Sequence, residues 1–184
     1  SGHHKPASSS QVHISDALGQ AISEAEKLLE SGESGGIQTP WRQLNAAILG
    51  LMPGRLYVLA ARPGMGKTSL VMGVAVEAAK KGQCIVHSME MPAKELAQRF
   101  VAPYAKTTSA DWSHPGRMHQ DDWDKIREVQ RRSRDSLDLV IDDRPGLHVD
   151  EIISSARYAK HKNNLSCLCI DYLGLMRLDN PNYE

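Results

Sequence analysis

The stretch that decides the predicted fold is ARPGMGKTS, residues 61–69. It follows an apolar run and precedes a helical pattern, which is the setting of a phosphate-binding loop. Gly64 and Gly66 would let the backbone approach a phosphate, and the amides at the helix start favour an anion. Lys67 offers a charge for the β- and γ-phosphates, and the Thr68 hydroxyl offers an oxygen to Mg²⁺. We therefore predict a site for ATP and Mg²⁺.

The first position of this loop departs from the general pattern of such loops, which begins with Gly, because Ala61 stands there. Read from the residues alone, a chance Gly-Lys-Thr at a strand–helix junction stays open. If the loop does bind nucleotide, we expect all of it to surround the phosphates: Ala61, Arg62, Pro63, Gly64, Met65, Gly66, Lys67, Thr68 and Ser69.

Two acidic residues follow apolar runs and are candidates to complete the site. Asp171 ends the run CLCID, residues 167–171, and Glu90 comes just after the run CIVHS. Ligands of open α/β sheets bind at the carboxyl ends of the strands, where both residues are expected. Asp171 is predicted to hold Mg²⁺, and Glu90 to act as the base that deprotonates the attacking water. The alternatives are an Asp that caps a turn and a Glu that begins a helix.

Strand-like and helix-like segments alternate on both sides of the loop, which predicts an α/β fold with a mostly parallel sheet flanked by helices. The predicted strands are Leu56–Ala61, Gln83–Ser88, Leu137–Asp142 and Ser166–Asp171. The predicted helices are a short one from the cap Thr39 to about Ala47, then Lys67–Lys80, Pro92–Tyr104, Asp121–Arg134 and Val149–Lys162.

A separate amphipathic helix is predicted over Ser15–Glu30, with Ser15 as its cap. Apolar residues recur there at steps of three and four, and the Ser/Gly-rich segment SGESGG at 31–36 follows as a flexible linker. We therefore divide the chain into residues 1–35, which hold the polar N-terminus, helix and linker, and the ATPase domain 36–184. The helix packs either on its own domain or on a neighbouring molecule.

The charge and cysteine content limit the possible function classes. The 22 basic and 22 acidic residues balance, which argues against a large basic surface for nucleic acid. We interpret the arginines of the predicted helix Asp121–Arg134 as a solvated face. No run reaches the roughly 18 apolar residues that span a membrane. The three cysteines indicate a reducing, cytoplasmic setting. Cys167 and Cys169 should share one strand face, and we interpret all three as buried structural thiols because no further ligand accompanies them at suitable spacing.

The motifs together resemble a known family. GIQTPWRQLNAAILGLMPGRLYVLAARPGMGKTS, SMEMP and CIDYLGLM, in this order, resemble the motor domain of bacterial and phage replicative helicases of the DnaB type. The phosphate loop of that family commonly reads Ala-Arg-Pro, so Ala61 fits the resemblance. The resemblance implies a RecA-like P-loop fold, with Lys67 and Thr68 on phosphate and Mg²⁺, Glu90 as catalytic base and Asp171 on the metal side. Gly174 departs from the family, which usually has Gln there.

The resemblance also implies a function and partners. It implies an ATP-driven motor that moves 5′ to 3′ on single-stranded or forked DNA as a homo-hexamer, with primase and a helicase loader as further partners. The helix 15–30 resembles the linker helix that packs on the adjacent motor domain. The family's Gln sensor, DNA-binding loops and arginine finger are expected beyond the Asp171 strand, so we expect the 184 residues alone to hydrolyse ATP weakly. The alternatives are a recombinase, an ATP-dependent assembly switch and a small-molecule P-loop kinase.

Overall fold

The computed structural model describes residues 12–31, 35–171, 174 and 176. Its centre is a three-stranded parallel sheet. The strands are β1 (Gln83–Ser88), β2 (Leu139–Asp142) and β3 (Leu165–Asp171), in the spatial order β2-β1-β3. The helices are α1 (Ile14–Ser31), α2 (Arg42–Ile48), α3 (Lys67–Ala79), α4 (Ala93–Ala105), α5 (Ser109–Ser113), α6 (Gln120–Ser136) and α7 (Val149–Lys162), with a 3₁₀ turn at Pro115–Arg117.

Helices cover both faces of the sheet, as the alternation of segments predicted. On one face, α3 and Leu96 of α4 pack against Cys84 and Val86 of β1. On the other face, Ile152 of α7 packs with Leu147, Leu168 and Ile170. Every residue of β1 is buried, because this strand lies between β2 and β3 and is covered on both faces. The apolar residues Cys84–Val86 fill the middle of this strand, as expected of a parallel strand covered on both faces.

The sequence prediction located three of its four strands and was wrong about the first. Gln83–Ser88 has the predicted bounds, β3 begins one residue earlier than predicted, and β2 is shorter than predicted. The segment Leu56–Ala61 forms no strand. Its residues Leu56 and Val58 are 88% and 73% exposed. An apolar run becomes a strand only where a sheet edge pairs with it and a face covers it, and neither happens among the described residues.

Two predicted helix caps were also wrong. The structure begins α2 at Arg42, and Trp41 rather than Thr39 holds the cap position. The Thr39 hydroxyl instead donates to Oδ1 of Asn45 at 2.7 Å, while Nδ2 of Asn45 donates to the Thr39 carbonyl at 2.7 Å. These bonds tie the segment before α2 to the helix itself. Likewise α1 begins at Ile14, so Ser15 lies in its first turn rather than at its cap.

The helix α1 exposes its apolar side chains. Every residue from Ile14 to Glu30 is exposed, and Leu18, Ile22 and Leu29 are among the large apolar side chains left open to solvent. Among the described residues, this apolar face therefore stays largely open to solvent, with Leu28 lying beside Gly35. Residues 1–11, with the polar N-terminus, and residues 32–34, half of the linker, lie outside the described residues. Among the described helices, none is long and apolar enough to cross a membrane.

Candidate nucleotide-binding site

The predicted phosphate loop ends at the N-terminus of α3. Gly66 caps that helix with φ of 86°, and Gly64 has φ of 78°. Both angles lie in the left-handed region, where a side chain would be strained. Apart from its own chain neighbours, no described heavy atom comes within 4 Å of the position that a Cβ would occupy on either residue. These glycines are therefore required by the backbone conformation, and the space beside them remains open for a ligand.

The first turn of α3 presents donors suited to an anion. The cap Gly66 has no side chain to occupy the first helix amides, and residues 61–66 of the loop are exposed. Backbone N–H groups at a helix start carry partial positive charge and bind phosphates. The loop and the start of α3 therefore form an accessible, electropositive surface at one edge of the molecule.

Asp171 contacts both functional side chains that begin α3. The Lys67 ammonium nitrogen lies 3.1 Å from Oδ1 of Asp171. The Thr68 hydroxyl donates to Oδ2 of the same carboxylate at 2.9 Å. Asp171 is only 4% exposed. The two motifs, separated by about a hundred positions in sequence, thus form one cluster of a cation, a hydroxyl and a buried carboxylate.

The sheet positions this carboxylate. Asp171 is the last residue of β3 and is paired in register with Ser88, the last residue of β1. The Met89 amide continues the ladder by donating to the Asp171 carbonyl at 2.9 Å. Because parallel strands end at the same edge, the α3 N-terminus and both strand ends converge there.

Glu90 lies exposed at the same edge, one residue beyond Met89. The turn that carries it is held by Ser88, whose hydroxyl donates to the Met91 carbonyl at 2.7 Å. The structure therefore brings Lys67, Thr68 and Asp171 into contact and leaves Glu90 projecting from the neighbouring strand end. A carboxylate there is accessible to water, as a general base must be.

A buried histidine that no sequence pattern indicated lies just before this turn. His87 is 1% exposed, and its Nδ1 lies 3.4 Å from Oδ2 of Asp142 on β2. Its Nε2 lies 3.2 Å from the Ser155 hydroxyl. Burial is the main cause that lowers the pKa of His87 and outweighs the nearby Asp142 carboxylate, while the Arg144 charge lowers it further. The ring is therefore neutral near pH 7.

This burial predicts a pH dependence of stability. In the unfolded chain, His87 takes up a proton near its ordinary pKa of 6.5. In the folded chain its pKa is lower, so protonation requires a lower pH. The free energy of unfolding should therefore fall as the pH drops below about 6.5, until the folded pKa is passed. Urea unfolding between pH 8 and pH 5 measures this. His87→Gln should flatten the dependence, whereas the exposed control His161→Gln should retain it, and equal slopes in all three proteins would contradict the assignment.

The arginines of α6 form the solvated face that the sequence predicted. Arg127 pairs with Asp124 at 2.9 Å, and both Arg131 and Arg132 bond to Glu128, all on the same exposed helix. Hydrogen bonds from these two arginines lower the pKa of Glu128 to about 2. These three arginines thus form ion pairs with carboxylates of their own helix.

The comparison with known families decides what kind of domain carries this site. The sequence profile described as the DnaB-like helicase C terminal domain matches residues 36–184. The chain belongs to that family. The match includes the phosphate loop, Glu90 and Asp171, and it excludes the helix α1.

Known replicative helicases are similar to this chain in sequence. The chain is 31% identical over 171 residues to the replicative DNA helicase DnaB of Buchnera aphidicola subsp. Schizaphis graminum, covering 90% of this chain and 37% of that protein. It is 34% identical over 171 residues to DnaB of Pasteurella multocida, with the same two coverages. The chain thus spans a little over a third of the length of these relatives.

Solved structures of DnaB-like proteins share the fold. The ATPase domain of G40P superposes with a TM-score of 0.81 at 25% identity, over 95% of this chain and 62% of that one. A structure of a DnaB-like replicative helicase and its interactions with primase superposes with a TM-score of 0.78 at 26% identity, over 95% and 42%. The predicted RecA-like class, with a parallel sheet flanked by helices, is therefore confirmed.

Proposed function

We propose that this DnaB-family domain is the ATP-driven motor of a replicative helicase, coupling ATP hydrolysis to 5′-to-3′ movement on single-stranded DNA and to duplex unwinding. The observation that carries the proposal is the cluster in which Asp171 contacts both Lys67 and Thr68 at the start of α3. A lysine, a hydroxyl and a buried carboxylate at an open helix N-terminus suit the phosphates and the metal of Mg-ATP.

Each residue has a distinct chemical role in this proposal. The loop amides and the Lys67 ammonium group bind the β- and γ-phosphates, which moves Lys67 away from its ion pair with Asp171. The Thr68 hydroxyl would hold Mg²⁺, with Asp171 accepting hydrogen bonds from the metal's water ligands. The metal would neutralise charge that develops on the phosphates. Glu90 accepts the proton of the attacking water. The remainder of the loop, from Ala61 to Pro63 and including Met65 and Ser69, shapes the phosphate cradle.

An unwinding assay on the full-length protein that contains this chain tests the function. We expect it to separate a forked DNA duplex with a free 5′ tail only when ATP and Mg²⁺ are both present. The Lys67→Ala protein serves as the negative control. Assembly that depends on ATP without any strand separation would contradict the motor and support the assembly switch instead.

We further propose that α1 packs on a neighbouring copy in a hexameric ring. Its apolar side chains, including Leu18 and Ile22, are exposed in the single chain. Burying an apolar side chain of this size contributes about 1.5–3 kcal/mol, so covering this face would favour the free energy of ring assembly. Nucleotide would then bind close to a subunit boundary. We also propose that the protein is cytoplasmic and that it binds primase and a helicase loader.

Substitutions on α1 test this assembly. Ile22→Asp in the full-length protein should weaken ring formation about tenfold or more, because a charge replaces a contributing apolar contact. Gln20→Asp, on the opposite face of the same helix, adds the same charge and should leave assembly intact. Light scattering across a concentration series measures both proteins. Equal assembly of the two variants would mean that the apolar face of α1 contacts no neighbouring copy.

A further inference from the structure

The three cysteines of the chain lie together in the core, although they are far apart in sequence. Cys84 on β1 is paired in register with Cys167 on β3, and Cys169 is two residues further along the same strand face. The Sγ atoms of Cys167 and Cys169 are 3.9 Å apart, and all three sulfurs lie within 4.8 Å of one another. The spacing of Cys167 and Cys169 gave no sign of a third ligand, because the sheet rather than the sequence brings Cys84 to them.

The three sulfurs lie close enough to share one metal ion, and the distance between Cys167 and Cys169 fits such an ion. Metal–sulfur bonds of about 2.3 Å in a trigonal plane separate the sulfurs by about 4.0 Å, close to the observed 3.9 Å. Sulfur ligands select soft metals such as Cu(I) and Zn²⁺. Three convergent sulfurs on two rigid, hydrogen-bonded strands therefore form a set of ligands that needs little rearrangement.

The surroundings of the cluster distinguish between those metals. A structural zinc site has four ligands, whereas only these three His, Cys, Asp or Glu side chains converge among the described residues. The same core cluster is otherwise apolar, with Met72, Ala75 and Leu96 buried in it. Uncompensated charge is costly in such a place, and a monovalent cation offsets a thiolate without leaving excess positive charge. Cys84 is fully buried, while the half-buried Cys167 and Cys169 provide access.

We propose that Cys84, Cys167 and Cys169 form a three-sulfur site for one Cu(I) ion, separate from the nucleotide site. Copper enters and remains in the +1 state, so no oxidant or reductant is required. One thiol ionises and releases its proton to the solvent, and the ion bonds to that thiolate and to the two neutral thiol sulfurs, so the site stays uncharged. The site lies under α3, on the same face of β3 as Asp171.

Anaerobic titration of the purified chain with Cu(I), in competition with the chelator bicinchoninate, tests the site. We expect one Cu(I) per chain, with three sulfur neighbours by X-ray absorption. Cys167→Ala and Cys169→Ala should each weaken binding about tenfold or more, since even changes outside the ligand shell cost about 10–100-fold. These half-buried positions are chosen because a change at the fully buried Cys84 threatens folding. Circular dichroism checks that each variant is folded.

A matched control and three possible outcomes test the Cu(I) site. Leu168→Ala changes the opposite face of the same strand and leaves the thiols intact, so it should bind Cu(I) like the parent chain. Loss of binding in Leu168→Ala but not in the cysteine variants would overturn the proposal. Unchanged affinity in the Cys167→Ala/Cys169→Ala double variant, or retention of Zn²⁺ in preference to Cu(I), would also overturn it.

Discussion

Glu90→Gln should bind Mg-ATP like the parent protein and hydrolyse it about 10²–10⁴ times more slowly, the range expected for loss of a general base. The amide keeps the size of the side chain but cannot accept a proton from water. Glu90 lies exposed at the sheet edge where β1 ends, so the substitution should leave the fold unchanged. The measurement is single-turnover hydrolysis by the full-length protein at saturating nucleotide, which separates chemistry from binding.

Glu95→Gln provides the matched control for this experiment. Glu95 lies in the first turn of α4, shortly after Glu90, and it is also exposed. Its loss removes the same charge from the same region and should leave turnover near that of the parent protein. A Glu90→Gln enzyme that turns over at the parent rate would make Glu90 a structural acid, and the base would have to be sought elsewhere.

Lys67→Ala should weaken Mg-ATP binding by about 1.5–3 kcal/mol, which is roughly 10- to 150-fold in affinity. The substitution removes the ammonium group that would meet the β- and γ-phosphates. It also leaves the carboxylate of Asp171, which is 4% exposed, without its ion pair. Titration with a fluorescent ATP analogue measures the change, and a thermal melt reports the separate effect on stability.

The control Lys80→Ala removes a lysine from the other end of the same helix. Its ammonium group pairs only at the surface, with Glu77 at 2.6 Å, and lies far along α3 from the loop. Affinity for nucleotide should be unchanged in this variant. If Lys67→Ala bound Mg-ATP as tightly as Lys80→Ala, the phosphate loop would lose its assigned role.

The parts of the fold that the sequence predicted are those whose signal is local. The Gly-rich stretch 61–69, which contains Gly-Lys-Thr, predicts a loop followed by a helix. The helix α3 begins at Lys67 as expected. Short apolar stretches, Cys84–Val86 and Cys167–Ile170, indicated β1 and β3, because both strands are covered by helices on their two faces. Asp171 could be placed at the carboxyl edge for the same reason.

The missed parts depend on partners that are distant in sequence. An apolar run such as Leu56–Ala61 has the same strand-like sequence whether or not a neighbouring strand pairs with it. The Thr39 hydroxyl donates to Asn45 and accepts from the amide of Trp41, which precedes α2, rather than from an amide inside the helix. The contact of Cys84 with Cys167 depends on strand order and register, which a long crossover between two parallel strands leaves unspecified. The His87–Asp142 contact is unpredictable from sequence for the same reason.

The most direct test of the nucleotide site is a structure of this chain bound to Mg²⁺ and a non-hydrolysable ATP analogue. We predict the β-phosphate within about 3 Å of the loop amides, with the Lys67 ammonium group moved from Asp171 onto the phosphates and the Thr68 hydroxyl on the metal. A nucleotide bound elsewhere on the chain, with the 3.1 Å contact between Lys67 and Asp171 intact, would contradict the account.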